Sequence, residues 1–170
     1  EGFDDQKDIN LLRPLNGYGY SKQVFDQWTL KQEKKPPQFV GLKFFNVYGP
    51  NEYHKGGQKS VIAHIFPQVR NGEETKLFKS YNQDYKDGEQ LRDFIWVGDI
   101  VDVILWMLKN PQVNGIYNVG TGQARSFYDL AKATWKAMGK EPKIGFKEMP
   151  ETLRDKYQYY TQADLTHLRS

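Results

Sequence analysis

The chain has 170 residues, of which 38% are hydrophobic and 15% aromatic, enough for one domain with a real core or for part of a larger protein. It contains no cysteine, which excludes disulfides and thiolate metal sites and fits a reducing compartment. Its 24 basic and 21 acidic residues are interspersed and leave a net charge of +3, a mixed surface rather than the clustered basic face of a nucleic-acid binder.

The opening Glu1-Gly2-Phe3-Asp4-Asp5 has no methionine and no signal-peptide pattern, so it reads as an entry into mid-protein and a fragment is expected. Residues 1–15 are polar and read as a loop. It feeds a helix that carries Tyr18 and Lys22, runs on through Gln23 to Gln32 and stops at Glu33-Lys-Lys-Pro-Pro37. Phe39 to Tyr48 is apolar and aromatic and closes in Gly49-Pro50, the pattern of one buried strand running into a turn. Asn51 to Lys59 reads as a polar loop, and Ser60 to Arg70 as a helix ending at Asn71-Gly72. Thr75 to Phe78 suits a short strand, Ser80 to Gln90 a mobile polar loop, and Arg92 to Val97 another strand. Asp99 then suits an N-cap for a helix from Ile100 to Lys109. That segment holds the longest apolar run, which is too short to span a bilayer and is interrupted by Asp102. Gly115 to Gly120 reads as a strand, and Ser126 with Asp129 as a capping box opening a helix to Met138. Lys143 to Phe146 suits a last strand, and Thr161 to Leu168 the start of a helix. Alternating strands and helices predict an α/β fold with a sheet that is parallel at least in part.

The residues that can carry chemistry are few. Tyr18 and Lys22 stand four apart, so on a helix they share a face. A phenol titrates near pH 10, and an ammonium one turn away favours the phenolate, so the pair can exchange a proton with a substrate hydroxyl. Asn46, at a strand end, offers both a donor and an acceptor and suits either a sugar contact or a cap on the turn before Gly49. Lys55, on a glycine-bearing loop, either approaches a substrate from the side opposite Tyr18 or is simply solvated. Arg92 presents a fork of donors suited to a diphosphate or to an ordinary ion pair. Tyr157-Gln-Tyr-Tyr160 suits stacking on a base or a small aromatic core. His54, His64 and His167 lack partners at metal spacing, so no metal site is expected. Gly120-Thr-Gly122 is a glycine turn after a strand but not the G-x-G-x-x-G fingerprint, which is found nowhere in the chain.

Four stretches in order resemble the extended short-chain dehydrogenase/reductase family: Tyr18-Gly-Tyr-Ser-Lys22, Phe44-Phe-Asn-Val-Tyr-Gly-Pro50, Arg92-Asp-Phe-Ile-Trp-Val-Gly-Asp99 and Gly115-Ile-Tyr-Asn-Val-Gly-Thr-Gly122. Within it, His54-Lys55-Gly56, Tyr157-Gln158 and Thr161 to Thr166 resemble the branch that epimerises ADP-heptoses at carbon 6. The resemblance begins only at the Tyr segment, so the family's glycine-rich half has no counterpart here. It implies the C-terminal part of a Rossmann-like fold. Residues 1–50 are then the remainder of a dinucleotide-binding domain, and 51–170 mainly a substrate-binding region, with 92–122 returning to the Rossmann sheet.

The resemblance further implies an NADP-dependent enzyme (NAD being the alternative) in which Tyr18 and Lys55 are catalytic on opposite faces of the sugar. Lys22, Val47 and Lys55 would contact the cofactor. Asn46, Gly57, His64, Phe78, Lys79, Ser80, Tyr81, Arg92 and Tyr157 would contact the ADP-sugar. Gly57 stands where the family commonly has Ser, so only backbone contact is expected there. The polar segment from Asn82 to Leu91 looks longer than the family's, which bears on the placement of Arg92. A bacterial cytoplasmic homo-oligomer serving lipopolysaccharide core synthesis is implied, with no nucleic-acid or membrane partner. Taken alone, the chain is expected to bind dinucleotide poorly. The rivals are a 4-epimerase or 4,6-dehydratase acting on another nucleotide sugar and, in a different class, a non-catalytic binding module.

Overall fold

Asn16 opens the first α-helix. In the computed structural model, which describes residues 4–170, its side chain accepts the Gly19 N–H at 2.8 Å and caps α1, Gly17–Lys31, satisfying an amide that the first turn leaves without a partner. Tyr18 and Lys22 therefore both lie in this helix, which starts well before Gln23. The segment expected to be one strand is two: β1, Val40–Phe44, and β2, Asn46–Tyr48. Phe45 divides them because the chain changes partners there. β1 runs parallel to β5, Gly115–Val119, and β2 runs parallel to β4, Leu91–Trp96.

The loop 49–60 contains a 3₁₀ segment, Tyr53–Gln58, broken at Gly56 (φ 55°, ψ −124°). α2, Val61–Asn71, follows and ends at Gly72 in the left-handed region, the usual place for glycine after a helix. β3, Thr75–Phe78, pairs in parallel with β7, Ile144–Lys147. α3 covers Val97–Lys109. It starts at Val97, which places Asp99 in the first turn, where a carboxylate complements the helix dipole. Trp96, without a side-chain cap bond, occupies the N-cap expected of Asp99.

A strand unseen in the sequence, β6, Ala124–Ser126, pairs antiparallel with β4 and delivers Ser126 to the N-cap of α4, Phe127–Ala137. The Ser126 hydroxyl accepts the Asp129 N–H at 2.9 Å. α5, Glu151–Arg154, is a single short turn, and α6 occupies only Thr166–Arg169. Residues 161–165 instead run beside β4, with Thr161 N–H donating to the Leu91 carbonyl.

Two apolar clusters hold these layers. Ile95, Ile100 and Val119, with Leu42, Val47 and Val103, join β1, β2, β4, β5 and α3. Ile65, Leu77 and Ala131, with Val61, Phe127 and Ile144, join α2, α4, β3 and β7. The buried Trp135 adds its indole N–H to the Thr75 hydroxyl at 3.1 Å. Among the described residues no helix is long and apolar enough to cross a membrane.

Candidate active site

Tyr18 is 74% exposed in the first turn of α1, and the Lys22 Nζ lies over its ring, 5.0 Å from the centroid. The shared face expected from the spacing is present. The ammonium meets the face of the phenol ring, an arrangement worth about 0.5–1 kcal/mol when exposed. Among the described residues no carboxylate is within ion-pair distance of Lys22, leaving it open to a ligand's hydroxyls. Asn46 and Val47 sit on β2, in register with Phe94 and Ile95 of β4. Asn46 is exposed, whereas Val47 is half-buried against the Ile95 cluster.

The 49–60 loop carries Lys55 and Gly57 and sets Gly57 against His64 of α2. The His64 Nε2 lies 3.3 Å from the Gly57 carbonyl. On the Gly57 side that contact is made by the backbone carbonyl. The organiser of this loop is Glu52, which sequence reasoning missed. Its buried carboxylate accepts the Gly49 N–H (3.2 Å), the Ser60 N–H (2.7 Å) and the Ser60 hydroxyl (2.7 Å), and lies 3.5 Å from the Lys55 Nζ. Burial by itself would raise the Glu52 pKa, but the Ser60 and Gly49 hydrogen bonds and the Lys55 charge outweigh it and hold the carboxyl below the usual glutamate range.

Arg92 is the most unusual residue of the chain. It is buried, its guanidinium lies 5.2 Å from the Tyr157 ring centre and 5.6 Å from that of Phe127, and NH1 donates to the Leu91 carbonyl at 2.8 Å. Burial lowers its pKa below the usual arginine range, and the same burial raises that of the Tyr157 phenol. Among the described residues no carboxylate pairs with it. The next residue, Asp93, is fully buried and serves the fold: it accepts the N–H groups of Thr121, Gly122 and Ala163 and the Thr121 hydroxyl, at 2.6–3.1 Å. It thereby ties β4 to the glycine turn and to the 161–165 segment.

Residues 78–81 connect to Arg92 through aromatic rings. Tyr157 packs edge-on to Tyr159, and the Tyr159 hydroxyl accepts the Tyr81 N–H at 2.9 Å. Lys79 and the Tyr81 hydroxyl both donate to Glu148, while the Arg154 guanidinium lies 3.9 Å over the Tyr81 ring. Their hydrogen bonds lower the Glu148 pKa and raise those of Lys79 and Tyr81. The loop expected to be mobile is tied at several points. Asp87 accepts the Ser80 N–H at 2.8 Å, the Gly88 N–H donates to the Phe78 carbonyl, and the buried Gln90 amide reaches the carbonyls of Phe78 and Lys79.

Two clefts mark the surface. One, of about 320 Å³, is lined by Asp5, Asp8, Lys43, His167 and their neighbours. The other, of about 360 Å³, lies among Tyr48, Tyr53, Phe66 and Trp96. Neither of these is lined by Tyr18 or Lys55. No group of three or more metal-ligating side chains is found among the described residues.

The model of the NAD dependent epimerase/dehydratase family matches residues 2–120. The ADP-L-glycero-D-manno-heptose-6-epimerase of Fusobacterium nucleatum is 49% identical over 99% of the chain and 53% of its own length. The protein of the same name from Nitratidesulfovibrio vulgaris is 52% identical over 99% of the chain and 52% of its own length. Among solved structures, the ADP-L-glycero-D-manno-heptose-6-epimerase of Helicobacter pylori has a TM-score of 0.74 at 31% identity, over 91% of this chain and 44% of that one. The Thermus thermophilus UDP-glucose 4-epimerase in complex with NAD has a TM-score of 0.73 at 25% identity, over 92% and 48%. The chain thus spans about half the length of the curated relatives it matches.

Proposed function

This chain belongs to the NAD dependent epimerase/dehydratase family, and from that premise we propose that it is the catalytic and substrate-binding part of an epimerase acting at carbon 6 of ADP-D-glycero-D-manno-heptose. The single observation that carries the reading is the buried Arg92. A cation held between two aromatic rings, with no carboxylate partner among the described residues, has a desolvation cost that an anionic ligand offsets. A diphosphate fits its fork of donors. The names of the relatives, at about half identity, support ADP-heptose as the nucleotide sugar.

In this reading a nicotinamide cofactor, NADP with NAD as the alternative, would be held by Lys22, Val47 and Lys55 and would supply reversible hydride transfer for an oxidation and re-reduction at carbon 6. The chain's own residues handle position and protons. Tyr18 exchanges the hydroxyl proton on one face and Lys55 on the other, since each orientation needs an acid/base within hydrogen-bond reach of the reacting oxygen. Lys22, with no carboxylate partner among the described residues, fits the role of holding the nicotinamide ribose, with Val47 and Lys55 beside it. Asn46, Gly57 (through its backbone), His64, Phe78 to Tyr81, Arg92 and Tyr157 hold the ADP-sugar. Residues 1–50 and 92–122 form the nucleotide side, and the rest of 51–170 the substrate side. The enzyme works as a cytoplasmic homo-oligomer, its product serving lipopolysaccharide core synthesis.

The test is turnover by the full-length enzyme with ADP-D-glycero-D-manno-heptose and with UDP-galactose, followed by NMR of the sugar. Inversion at carbon 6 of the first is expected. Turnover of the second alone overturns the assignment in favour of a 4-epimerase.

A further inference from the structure

Glu52 contacts both ends of the loop that carries Lys55 and the Lys55 side chain itself. Its Oε1 accepts from the Gly49 N–H and the Ser60 hydroxyl, its Oε2 from the Ser60 N–H, and the same Oε2 is 3.5 Å from the Lys55 Nζ. The backbone repeats the link, with the Lys55 N–H donating to the Glu52 carbonyl at 3.0 Å. The loop reaches this geometry through two left-handed residues, Asn51 (φ 67°) and Gly56 (φ 55°), a conformation that costs free energy at a non-glycine position. Three hydrogen bonds from Gly49 and Ser60 already account for the closure of the loop. The ammonium is an additional partner, and it is the one group in the set to which the reaction assigns a proton.

We infer that Glu52 is a positioning residue for Lys55, closing the loop that presents it and tethering its ammonium against an otherwise free four-carbon stem. The inference rests on the reading of Lys55 as the second acid/base. A glutamine at 52 removes the charge that draws in the ammonium and keeps an acceptor for only one of the two loop amides, a loss that the Lys55→Met background shares. The consequence is a fault in placement of the reacting group, felt in kcat more than in binding of the nucleotide sugar.

The experiment is a double-mutant cycle in the full-length enzyme: Glu52→Gln, Lys55→Met and both together, with kcat and KM for ADP-heptose. Glu52→Gln alone is expected to lower kcat roughly a hundredfold, the scale of an approximately 1 Å misplacement, with KM little changed. In the Lys55→Met background it is expected to cost nothing further, because the group it positions is gone. An equal loss in both backgrounds shows that Glu52 only closes the loop, which overturns the inference while leaving Lys55 its role. An unchanged kcat for Glu52→Gln overturns it as well. An unchanged kcat for Lys55→Met removes Lys55 from the mechanism, and the inference falls with it. If circular dichroism shows Glu52→Gln unfolded, the same cycle is read with Glu52→Asp, which keeps the charge but draws it back by one methylene. There the expected loss is again confined to enzyme that retains Lys55.

Discussion

Arg92 and Glu52 are buried charges that solve their desolvation in opposite ways. Glu52 is met by hydrogen bonds and an ammonium within its own loop, whereas Arg92 has aromatic faces and one carbonyl. If an anion completes the Arg92 site, ADP raises the melting temperature of the full-length enzyme by mass action. Arg92→Met is expected to abolish that shift, as read by scanning calorimetry with and without ADP. Glu52 makes a pH prediction. Its folded pKa is depressed, so its contribution to stability is fully present above the unfolded value, about 4.3, and is lost as the pH falls below that toward the folded value. The gap in melting temperature between wild type and Glu52→Gln should therefore be widest near neutrality and shrink below about pH 4.3; a constant gap would contradict it. Asp93→Asn places an NH₂ among four donors and is expected to cost about 3 kcal/mol, read from the shift of the urea midpoint. At this scale, legibility depends on how far apart the partners lie. Tyr18 and Lys22 can be read from one helical turn. Glu52 reaches Gly49 and Lys55 within three residues but through a non-helical loop that no periodicity announces, and the partners of Asp93 lie at 121, 122 and 163, distances that local patterns do not encode.

Helix starts depend on single hydroxyls. Ser126→Ala removes only the bond to the Asp129 N–H, an expected cost of about 1 kcal/mol. Ser60→Ala should cost clearly more in the same urea measurement. Its hydroxyl caps α2 through the Ala63 N–H and also donates to the otherwise buried Glu52. The C-terminal end of α2 is closed from outside by lysines: Lys140 donates to the carbonyls of Val69 and Arg70, and Lys143 to that of Gly72. Most elements were legible because serine caps, glycine stops and proline breaks are local signals. The misses have a common cause in pairing across the chain. The Phe39–Tyr48 run divides because it meets β5 first and then β4. β6 exists because β4 offers Ala124–Ser126 an edge. Residues 80–90 look like a free polar loop until Asp87, Gly88 and Gln90 are seen to bond back to 78–80.

The whole molecule leaves two helices under-covered. α1 buries only Gln23 while Tyr20, Phe25 and Trp28 are each more than half exposed, and α3 exposes Leu105, Trp106 and Leu108. The chain spans about half the length of its curated relatives, and no glycine-rich phosphate loop lies within it. The 170-residue chain by itself is therefore expected to show no measurable binding of NADP or NAD by calorimetry; tight binding would mean that the dinucleotide site lies within these residues. The family was legible in four ordered stretches of sequence. The central claim is that Tyr18 and Lys55 serve opposite faces of one carbon. Single-turnover oxidation of each heptose epimer, read as reduced-nicotinamide absorbance in full-length Tyr18→Phe and Lys55→Met, tests it most directly. The account predicts a crossed pattern, each variant slowed by about 10²–10⁴-fold on a different epimer. One variant slowed on both epimers, with the other unaffected on either, would contradict it.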